Sequence, residues 1–309
     1  MRFRFTLPLL VLALACGDDD GTTDDTTDAP DVDMAVETDA GPPGPPGTIG
    51  PDDRRARVTL PNGYDEAESY PVVMLLHGYG ASGLIQGAYF TIPALARDMG
   101  FIGIIPDGTT DAGGNQFWNA TDACCDFGPT GVDDVAYLSD LIDEALETYA
   151  ADPDRVYLIG HSNGGFMSYR MACDASDKIA GLVSLAGATW GDPMDCGEPT
   201  RPVSVLQIHG TADGTIAYSG GTVASRTIPS ARGSVERFAE RSGCTVEWTE
   251  GDPIDFDSTI EGAETVTESI TDGCTEGTAY ELWTIEEGEH IPSLADGAIR
   301  TSLEWLLAQ

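Results

Sequence analysis

The sequence predicts an α/β fold with a mostly parallel central sheet and helices on both of its faces. Two observations carry this prediction: from about residue 51, apolar runs alternate with amphipathic helical patterns, and several of these runs are continuous. A continuous apolar run is typical of a strand that helices cover on both faces, as in parallel sheets. The hydrophobic fraction of 41% is that of a globular protein with a substantial core.

The order of the elements supports the same architecture. The predicted strands cover residues 57–60, 72–77, 101–106, 156–160, 180–185, 203–209 and 280–285. The clearest helical pattern lies at residues 132–150, with Asp133 and Asp134 in its first turn, and another lies at residues 296–307. Strands that alternate with helices indicate a parallel sheet. Residues 188–202 are too few for a lid, so we expect no large lid domain.

The N-terminal fifty residues predict export and a tether. Residues 1–15 have the positive start, the apolar stretch and the small residues before cleavage that are typical of a signal peptide. Cys16 follows directly, in an Ala-Cys-Gly context that resembles a bacterial lipobox, so we expect lipidation of Cys16, with ordinary secretion as the alternative. Residues 16–50 are first Asp- and Thr-rich and then Gly-Pro-Pro-rich, which predicts a disordered tether. Residues 51–309 form the predicted catalytic domain.

The charge balance excludes some partners. The chain carries 52 acidic and 15 basic residues, for a formal net charge of −37. Such a surface repels phosphate backbones and anionic lipid headgroups, so we expect no nucleic-acid partner. Contact with a membrane is expected only through a lipid on Cys16.

The cysteines indicate an oxidising compartment. Six of the seven cysteines follow the tether and form an even set, which is typical of disulfides, although six buried thiols are an alternative. Cys244 and Cys274 flank one acidic segment, and we expect them to pair. We expect the adjacent Cys124 and Cys125 to bond to different partners, because a bridge between neighbours strains the peptide. The predicted location is extracellular or, for a lipoprotein, periplasmic or on the outer surface.

The strongest chemical signal is a serine between two glycines. An apolar strand runs into Gly160-His-Ser162-Asn-Gly164, and a helical pattern follows directly. This strand–turn–helix context is that of the nucleophile elbow of α/β-hydrolases, in which flanking glycines permit a tight turn. Ser162 is therefore the candidate nucleophile.

A serine hydroxyl needs a base, and the base needs an orienting acid. In α/β-hydrolases the chain order is serine, acid, histidine. Of the four histidines, only His290 follows the last predicted strand, and Asp213 follows the strand at 203–209. Asp107 competes for the acid role, but it precedes the serine. We expect the other histidines to be structural.

The remaining site predictions concern backbone donors and aromatic rings. Two N–H groups must stabilise the oxyanion, and the candidates are those of Asn163, after the nucleophile, and Tyr79, in a glycine-lined turn. Trp118 and Trp190 follow strands and are either a platform for a substrate ring or ordinary core residues. Nothing in the sequence implies a metal or an organic cofactor.

Several motifs in order resemble a known family. They are a tryptophan followed by Cys124-Cys125, then Gly131-Val-Asp-Asp-Val135, Gly160-His-Ser-Asn-Gly-Gly165, His209-Gly-Thr-Ala-Asp213, Tyr218-Ser-Gly-Gly221 and Gly288-Glu-His290. The combination resembles the secreted polyhydroxybutyrate depolymerases and feruloyl or acetylxylan esterases. In one departure, His290-Ile291-Pro292 lacks the tryptophan that the family commonly has just after the histidine.

The resemblance implies an ester-cleaving triad at Ser162, Asp213 and His290. Its expected substrate is an ester of a polyester or of an esterified plant polysaccharide. Two alternatives are a serine peptidase on the same fold and a catalytically silent lipoprotein that binds polysaccharide.

Overall fold

A computed structural model describes residues 45–128 and 130–309 of the chain. The predicted signal peptide, the lipidation site at Cys16 and the tether up to residue 44 lie outside the described residues. No helix in the described part of the chain is both long and apolar enough to cross a membrane.

The elements follow one another as strands and helices in alternation. In chain order the strands are β1 (Thr48–Ile49), β2 (Ala56–Thr59), β3 (Tyr70–Leu76), β4 (Ile102–Ile105), β5 (Thr109–Thr110), β6 (Gln116–Phe117), β7 (Ala151–His161), β8 (Gly181–Leu185), β9 (Ser204–Gly210), β10 (Gly221–Val223), β11 (Arg226–Ile228), β12 (Thr249–Glu250), β13 (Thr265–Ile270) and β14 (Tyr280–Ile285). The helices are α1 (Gly83–Tyr89), α2 (Ile92–Met99), α3 (Asp134–Thr148), α4 (Asn163–Asp174), α5 (Ala231–Arg241) and α6 (Ala298–Leu307).

The central sheet is mostly parallel. Within the described residues it has ten strands in the order β1-β2-β4-β3-β7-β8-β9-β14-β13-β12. The six strands from β4 to β14 in that order are parallel to one another, and the strands at both edges are antiparallel. Parallel strands end at the same edge of the sheet, so the loops after β7, β9 and β14 meet there.

Helices cover both faces of this sheet. Alternate residues of β3 point to opposite sides: Val72, Met74 and Leu76 belong to one core, Val73 and Leu75 to the other. Helices α3, α4 and α5 pack on the first core, and α1, α2 and α6 pack on the second. This confirms the predicted fold class. Between β8 and β9, the described residues hold one short 3-10 turn, Pro193–Asp195.

The folded domain includes residues that the sequence pattern assigns to the tether. Ile49 lies in the antiparallel pair β1–β2 and is fully buried, although residues up to 50 were expected to belong to the tether. The backbone N–H of Gly50 donates to Glu144 on α3 at 2.9 Å, and the Tyr149 hydroxyl donates to the carbonyl of Pro46 at 2.6 Å. The two-residue strand β1 is too short for a periodic pattern, and it directly follows the Gly-Pro-Pro units, so the local sequence does not predict it.

Three disulfides are present in the described residues. Cys173–Cys196 joins the last turn of α4 to the segment before β9, and Cys244–Cys274 joins the segment after α5 to the one between β13 and β14. The third joins Cys124 to Cys125 across a cis peptide bond, so the expectation of different partners for these two residues is wrong. The other four cysteines of the described residues pair among themselves, Cys173 with Cys196 and Cys244 with Cys274.

A buried ion pair joins the segment just before β2 to the start of α3. The Arg54 Nη2 atom lies 2.7 Å from the Asp134 carboxylate, whose side chain has no exposed surface. Arg54 also donates to the carbonyl of Asp107 at 2.8 Å, and its guanidinium lies 3.7 Å from the ring centre of Tyr137. The second oxygen of Asp134 accepts the backbone N–H of Asn119 at 2.7 Å.

We predict that Arg54→Met lowers the free energy of unfolding by about 3 kcal/mol, because it leaves the charge of Asp134 buried without its cationic partner. Arg55→Met is the matched control: its exposed pair with Asp52 is worth little, and the loss should stay within about 0.5 kcal/mol. Denaturant unfolding followed by circular dichroism measures both. Equal losses in the two variants would contradict the role of the buried pair.

Candidate active site

The turn between β7 and α4 holds the serine of the glycine motif. Ser162 has φ 53° and ψ −118°, a backbone conformation that L-residues rarely adopt. Its backbone N–H donates to the carbonyl of Leu185 at the end of β8, at 2.8 Å. The hydroxyl therefore stands at the carboxyl edge of the sheet, at the N-terminus of a helix.

The flanking glycines are required by close backbone contacts. A Cβ atom on Gly164 would overlap the carbonyl of Leu76 at the end of β3, and one on Gly160 would overlap the carbonyl of Gly164. Because both obstacles are backbone atoms, no side-chain rearrangement can relieve them. The Gly-x-Ser-x-Gly pattern thus follows from how tightly α4 packs against the strand ends.

The structure brings Ser162, Asp213 and His290 together in one line of hydrogen bonds. The His290 Nε2 atom lies 2.9 Å from Ser162 Oγ, and its Nδ1 atom lies 2.7 Å from Asp213 Oδ2. Asp213 follows β9 and His290 follows β14, its parallel neighbour in the sheet. Asp107 is elsewhere: its carboxylate accepts the backbone N–H of Gly83 at the start of α1, at 2.7 Å.

Backbone hydrogen bonds tie the Asp213 loop to the His290 loop. Thr211 N–H donates to the carbonyl of Ile285, and Ala212 N–H donates to that of Gly288, both at 2.9 Å. In return, Glu287 N–H donates to the Thr211 hydroxyl at 2.8 Å. The separation between acid and imidazole is therefore set by the backbone.

The carboxylate of Asp213 is buried, and protein groups donate hydrogen bonds to both of its oxygens. Burial opposes its ionisation, but hydrogen bonds from His209 and His290 and from the Ile216 N–H outweigh it and hold the pKa of Asp213 well below its usual range. Its Oδ1 atom accepts the N–H groups of Thr215 and Ile216, each at 2.8 Å. The group is therefore an anion at any pH near neutrality.

Side chains from two other segments form hydrogen bonds with the backbone carbonyls of the His290 loop. The His161 Nε2 atom lies 3.0 Å from the carbonyl oxygen of His290, and the Tyr89 hydroxyl donates to that of Pro292. A carbonyl only accepts, so His161 carries a proton on Nε2. Burial lowers the pKa of His161 to about 4, so this ring is neutral near neutral pH.

A second network supports the loop that carries Tyr79. Gly108 N–H donates to His77 Nε2 at 2.8 Å, so the His77 proton is on Nδ1, which donates to the carbonyl of Gly78 at 2.8 Å. The Trp118 indole donates to the His77 carbonyl at 3.0 Å, and the Trp118 backbone N–H donates to Asn163 Oδ1 at 2.7 Å. This network links the Tyr79 loop to the first residue of α4.

Of the two alternatives for Trp118, a substrate platform or a core residue, the structure fits the core residue. Its side chain has no exposed surface, and its ring lies 5.0 Å from that of His77 in the core. Trp190 is half-buried, and Arg237 donates to its carbonyl. The Trp190 ring does not line the cavity beside Ser162.

The phenol of Tyr79 is braced by the β5–β6 hairpin. Its hydroxyl donates to Asp111 at 2.5 Å and accepts from the Asn115 amide at 3.2 Å, while Gly80 N–H donates to the carbonyl of Gln116 at 2.8 Å. The hydrogen bond from Tyr79, together with backbone donors, lowers the pKa of Asp111 to about 2. Within the described residues, neither the Tyr79 N–H nor the Asn163 N–H has a hydrogen-bond acceptor.

A cavity of about 490 Å³ opens beside Ser162. Its lining residues are Gly78, Tyr79, Ala81, Ile85, Gln86, Tyr89, His161, Ser162, Thr215, His290 and Ile291. Among the described residues, six large hydrophobic side chains are exposed; Tyr79, Ile85 and Ile291 line the cavity, and Phe127 packs edge-on against Tyr79. The mouth of the cavity is therefore apolar on an otherwise acidic protein.

Two buried polar residues lie beneath the site: His209, which was expected to be structural, and Gln207, which was not predicted from the sequence. Gln207 and His209 are buried on β9, and His209 Nε2 lies 3.2 Å from Asp213 Oδ2. The glutamine within the apolar run of β9 was a usable sequence signal for a buried polar network, since a buried amide needs hydrogen-bond partners.

In the described residues, no cluster of three or more His, Cys, Asp or Glu side chains is arranged to hold a metal ion.

Residues 64–238 match the family model described as phospholipase/carboxylesterase. Feruloyl esterase D of Neurospora crassa is 26% identical over 254 residues, which cover 79% of this chain and 76% of that protein. Feruloyl esterase B of Piromyces equi is 28% identical over 208 residues, which cover 65% of this chain but only 38% of that protein.

Two solved structures have the same fold. An acetyl xylan esterase from Aspergillus awamori superposes with a TM-score of 0.61 at 14% identity, over 85% of this chain and 98% of that one. A thermostable esterase superposes with a TM-score of 0.53 at 15% identity, over 85% of this chain and 62% of that one. At this level of identity the likeness establishes the fold.

We predict that Gly164→Ala lowers the free energy of unfolding by about 3 kcal/mol or prevents folding, because the added methyl group meets the Leu76 carbonyl. Gly197→Ala is the control, since nothing lies within 4 Å of the methyl group there. Thermal unfolding of both variants measures the difference. A Gly164→Ala protein as stable as Gly197→Ala would refute the close contact.

We predict that His161 makes the protein less stable in acid. The pKa of His161 is about 4 in the folded protein and 6.5 in the unfolded chain. Between pH 6.5 and pH 4, therefore, the unfolded chain binds a proton at this histidine that the folded protein does not bind. Stability due to this group is full above pH 6.5 and falls by about 3 kcal/mol as the pH drops to 4. His161→Gln lacks this titrating group, so only the wild type loses the contribution in acid. The difference in unfolding free energy between the two proteins should therefore become smaller from pH 7 to pH 4. Parallel profiles would contradict this.

Proposed function

The chain belongs to the phospholipase/carboxylesterase family of α/β-hydrolases, and from this premise we propose that it is a serine esterase with a Ser162–His290–Asp213 triad. One observation carries the proposal: the unbroken line of hydrogen bonds from Asp213 through His290 to Ser162 Oγ. In that geometry the imidazole is within proton-transfer reach of the hydroxyl.

The proposed reaction is acyl transfer in two steps. His290 Nε2 takes the hydroxyl proton as Ser162 Oγ attacks the ester carbonyl, and Asp213 holds the Nδ1–H and stabilises the imidazolium. The imidazolium then gives its proton to the leaving alcohol, and an acyl-enzyme remains. Water, deprotonated by His290, attacks the acyl carbon; this releases the acid and returns the proton to Ser162.

The proposed oxyanion hole consists of the N–H groups of Tyr79 and Asn163. Both belong to segments that meet at Ser162, and both lack an acceptor within the described residues. The hydrogen bonds from Trp118 to Asn163 and from Tyr79 to Asp111 hold these segments before a substrate arrives. Preorganised donors of this kind stabilise charge that develops only in the transition state.

We propose that the substrate is a feruloyl or acetyl ester of a plant polysaccharide. The likeness to feruloyl esterases of Neurospora crassa and Piromyces equi favours it over a polyester. The open, apolar-rimmed cavity also suits an ester whose alcohol side extends beyond the site.

We propose that the enzyme acts outside the cytoplasm. Three disulfides in the folded domain fit an oxidising compartment. Export by the signal peptide at residues 1–15 and anchoring through a lipid on Cys16 belong to the same proposal and rest on the sequence pattern.

We predict that Ser162→Ala reduces ester hydrolysis by about 10⁴-fold or more, since no other group supplies the nucleophile. The assay uses p-nitrophenyl acetate, methyl ferulate, acetylated xylan, a 3-hydroxybutyrate oligomer and a peptide. Ser69→Ala, an exposed serine at the other end of β3, is the matched control and should retain full activity.

The preferred substrate in this panel distinguishes a polysaccharide esterase from a polyester hydrolase, a peptidase and a binding protein. Preference for methyl ferulate or acetylated xylan supports the polysaccharide esterase, and preference for the oligomer replaces it with a polyester hydrolase. Faster peptide cleavage indicates a peptidase. Equal inactivity of wild type and Ser162→Ala on every ester would refute catalysis and leave a binding protein.

A further inference from the structure

A chain of buried polar side chains lies beneath Asp213, outside the proposed triad. Gln207 and His209 are two residues apart on β9, so both point to the same side of the sheet. Gln207 has no exposed surface and His209 is 1% exposed. Tyr169, fully buried on α4, donates its hydroxyl to Gln207 Oε1 at 2.9 Å. Buried polar groups of this kind are costly unless each is satisfied.

The orientation of the Gln207 amide follows from its neighbours. Its Nε2 atom lies 3.0 Å from the carbonyl oxygen of Gly187, which can only accept a hydrogen bond. The atom that faces Gly187 must therefore be the amide nitrogen. The Oε1 atom then faces the Tyr169 hydroxyl, which can donate to it.

This orientation determines where His209 carries its proton. The same Nε2 atom of Gln207 lies 3.0 Å from His209 Nδ1. An amide nitrogen donates and does not accept, so Nδ1 of His209 has no proton. The neutral ring therefore carries its proton on Nε2, which lies 2.8 Å from the carbonyl of Ile216 and 3.2 Å from Asp213 Oδ2.

The proton on His209 Nε2 faces two acceptors, and one of them is Asp213. Oδ1 of Asp213 accepts two backbone N–H groups and Oδ2 accepts His290 Nδ1–H, while His209 Nε2–H donates to the Ile216 carbonyl at 2.8 Å and contacts Oδ2 at 3.2 Å. With the other tautomer, an unprotonated His209 Nε2 would face both Asp213 and the Ile216 carbonyl, and three acceptors would meet without a donor. The carboxylate would then lose its alignment with His290.

We propose that Gln207 is a positioning residue: it imposes the Nε2–H tautomer on His209, and that tautomer holds Asp213 in line with His290. The consequence for turnover rests on the proposed function, whereas the tautomer itself does not. Neither residue touches the substrate cavity, so the effect belongs to kcat and not to KM.

The test uses the intact protein and four variants. Gln207→Leu removes the amide donor, His209→Phe removes the donor to Asp213, and His209→Gln keeps a side-chain N–H that can reach Asp213. Tyr218→Phe is the control, because it keeps the ring against His209 and removes a hydroxyl that bonds to Thr284.

The first readout is the histidine tautomer, measured by ¹⁵N–¹H NMR in the Ser162→Ala background at pH 7. We expect His209 to be protonated on Nε2 alone in that protein, and to gain a fraction protonated on Nδ1 after Gln207→Leu, because the amide no longer blocks that nitrogen. A His209 that stays protonated on Nε2 alone in Gln207→Leu would show that the acceptors at Nε2 suffice and would overturn the role of Gln207. We also expect the downfield proton signal of His290 Nδ1–H to shift in His209→Phe and to stay in place in Tyr218→Phe. A His209 protonated on Nδ1 with the amide intact would overturn the proposal.

The second readout is turnover of p-nitrophenyl acetate. We expect Gln207→Leu and His209→Phe to lower kcat about tenfold with KM unchanged, because each disturbs a hydrogen bond to a buried charge. His209→Gln should recover most of that loss. Equal kcat in His209→Phe and wild type would overturn the proposal. A wild type inert on all esters would refute the proposed function alone, and the NMR result would still decide the tautomer.

Discussion

The close contact between the end of β3 and the start of α4 is the constraint on which the site depends. Gly164 lies against the Leu76 carbonyl, which permits no side chain there and puts Ser162 into its unusual backbone conformation. The same contact brings the segment after β3, with Gly78 and Tyr79, beside the serine: a Cβ on Gly78 would lie 3.5 Å from Ser162 Cβ. One backbone approach thus positions the proposed nucleophile and both candidate oxyanion donors.

Much of the fold could be predicted because parallel strands carry a local signal. Continuous apolar runs correspond to β3, β4, β7, β8, β9 and β14. Strand β13 (Thr265–Ile270) was missed because its residues are mostly half-exposed and its pairing with β14 comes from the tertiary fold. The sequence order of Ser162, Asp213 and His290 was sufficient to select residues that the structure brings together, since each follows a parallel strand.

The errors concern side chains whose surroundings come from distant segments. Whether Trp118 faces solvent or His77 depends on the β5–β6 hairpin, which carries no periodic pattern. The pairing of Cys124 with Cys125 depends on which cysteines the loops bring within reach. The histidine tautomers likewise depend on contacts such as that of Gln207 with Gly187, and local sequence carries no information on them.

The carbonyls of His290 and Pro292 are both held by side chains of other elements, His161 and Tyr89. The loop that carries the imidazole therefore has little conformational freedom left to lose when a substrate binds. For the proposed esterase this means that little of the binding energy of a substrate is used to order this loop. In that proposal, a small ester that reaches Ser162 meets the same arrangement of side chains as a large one.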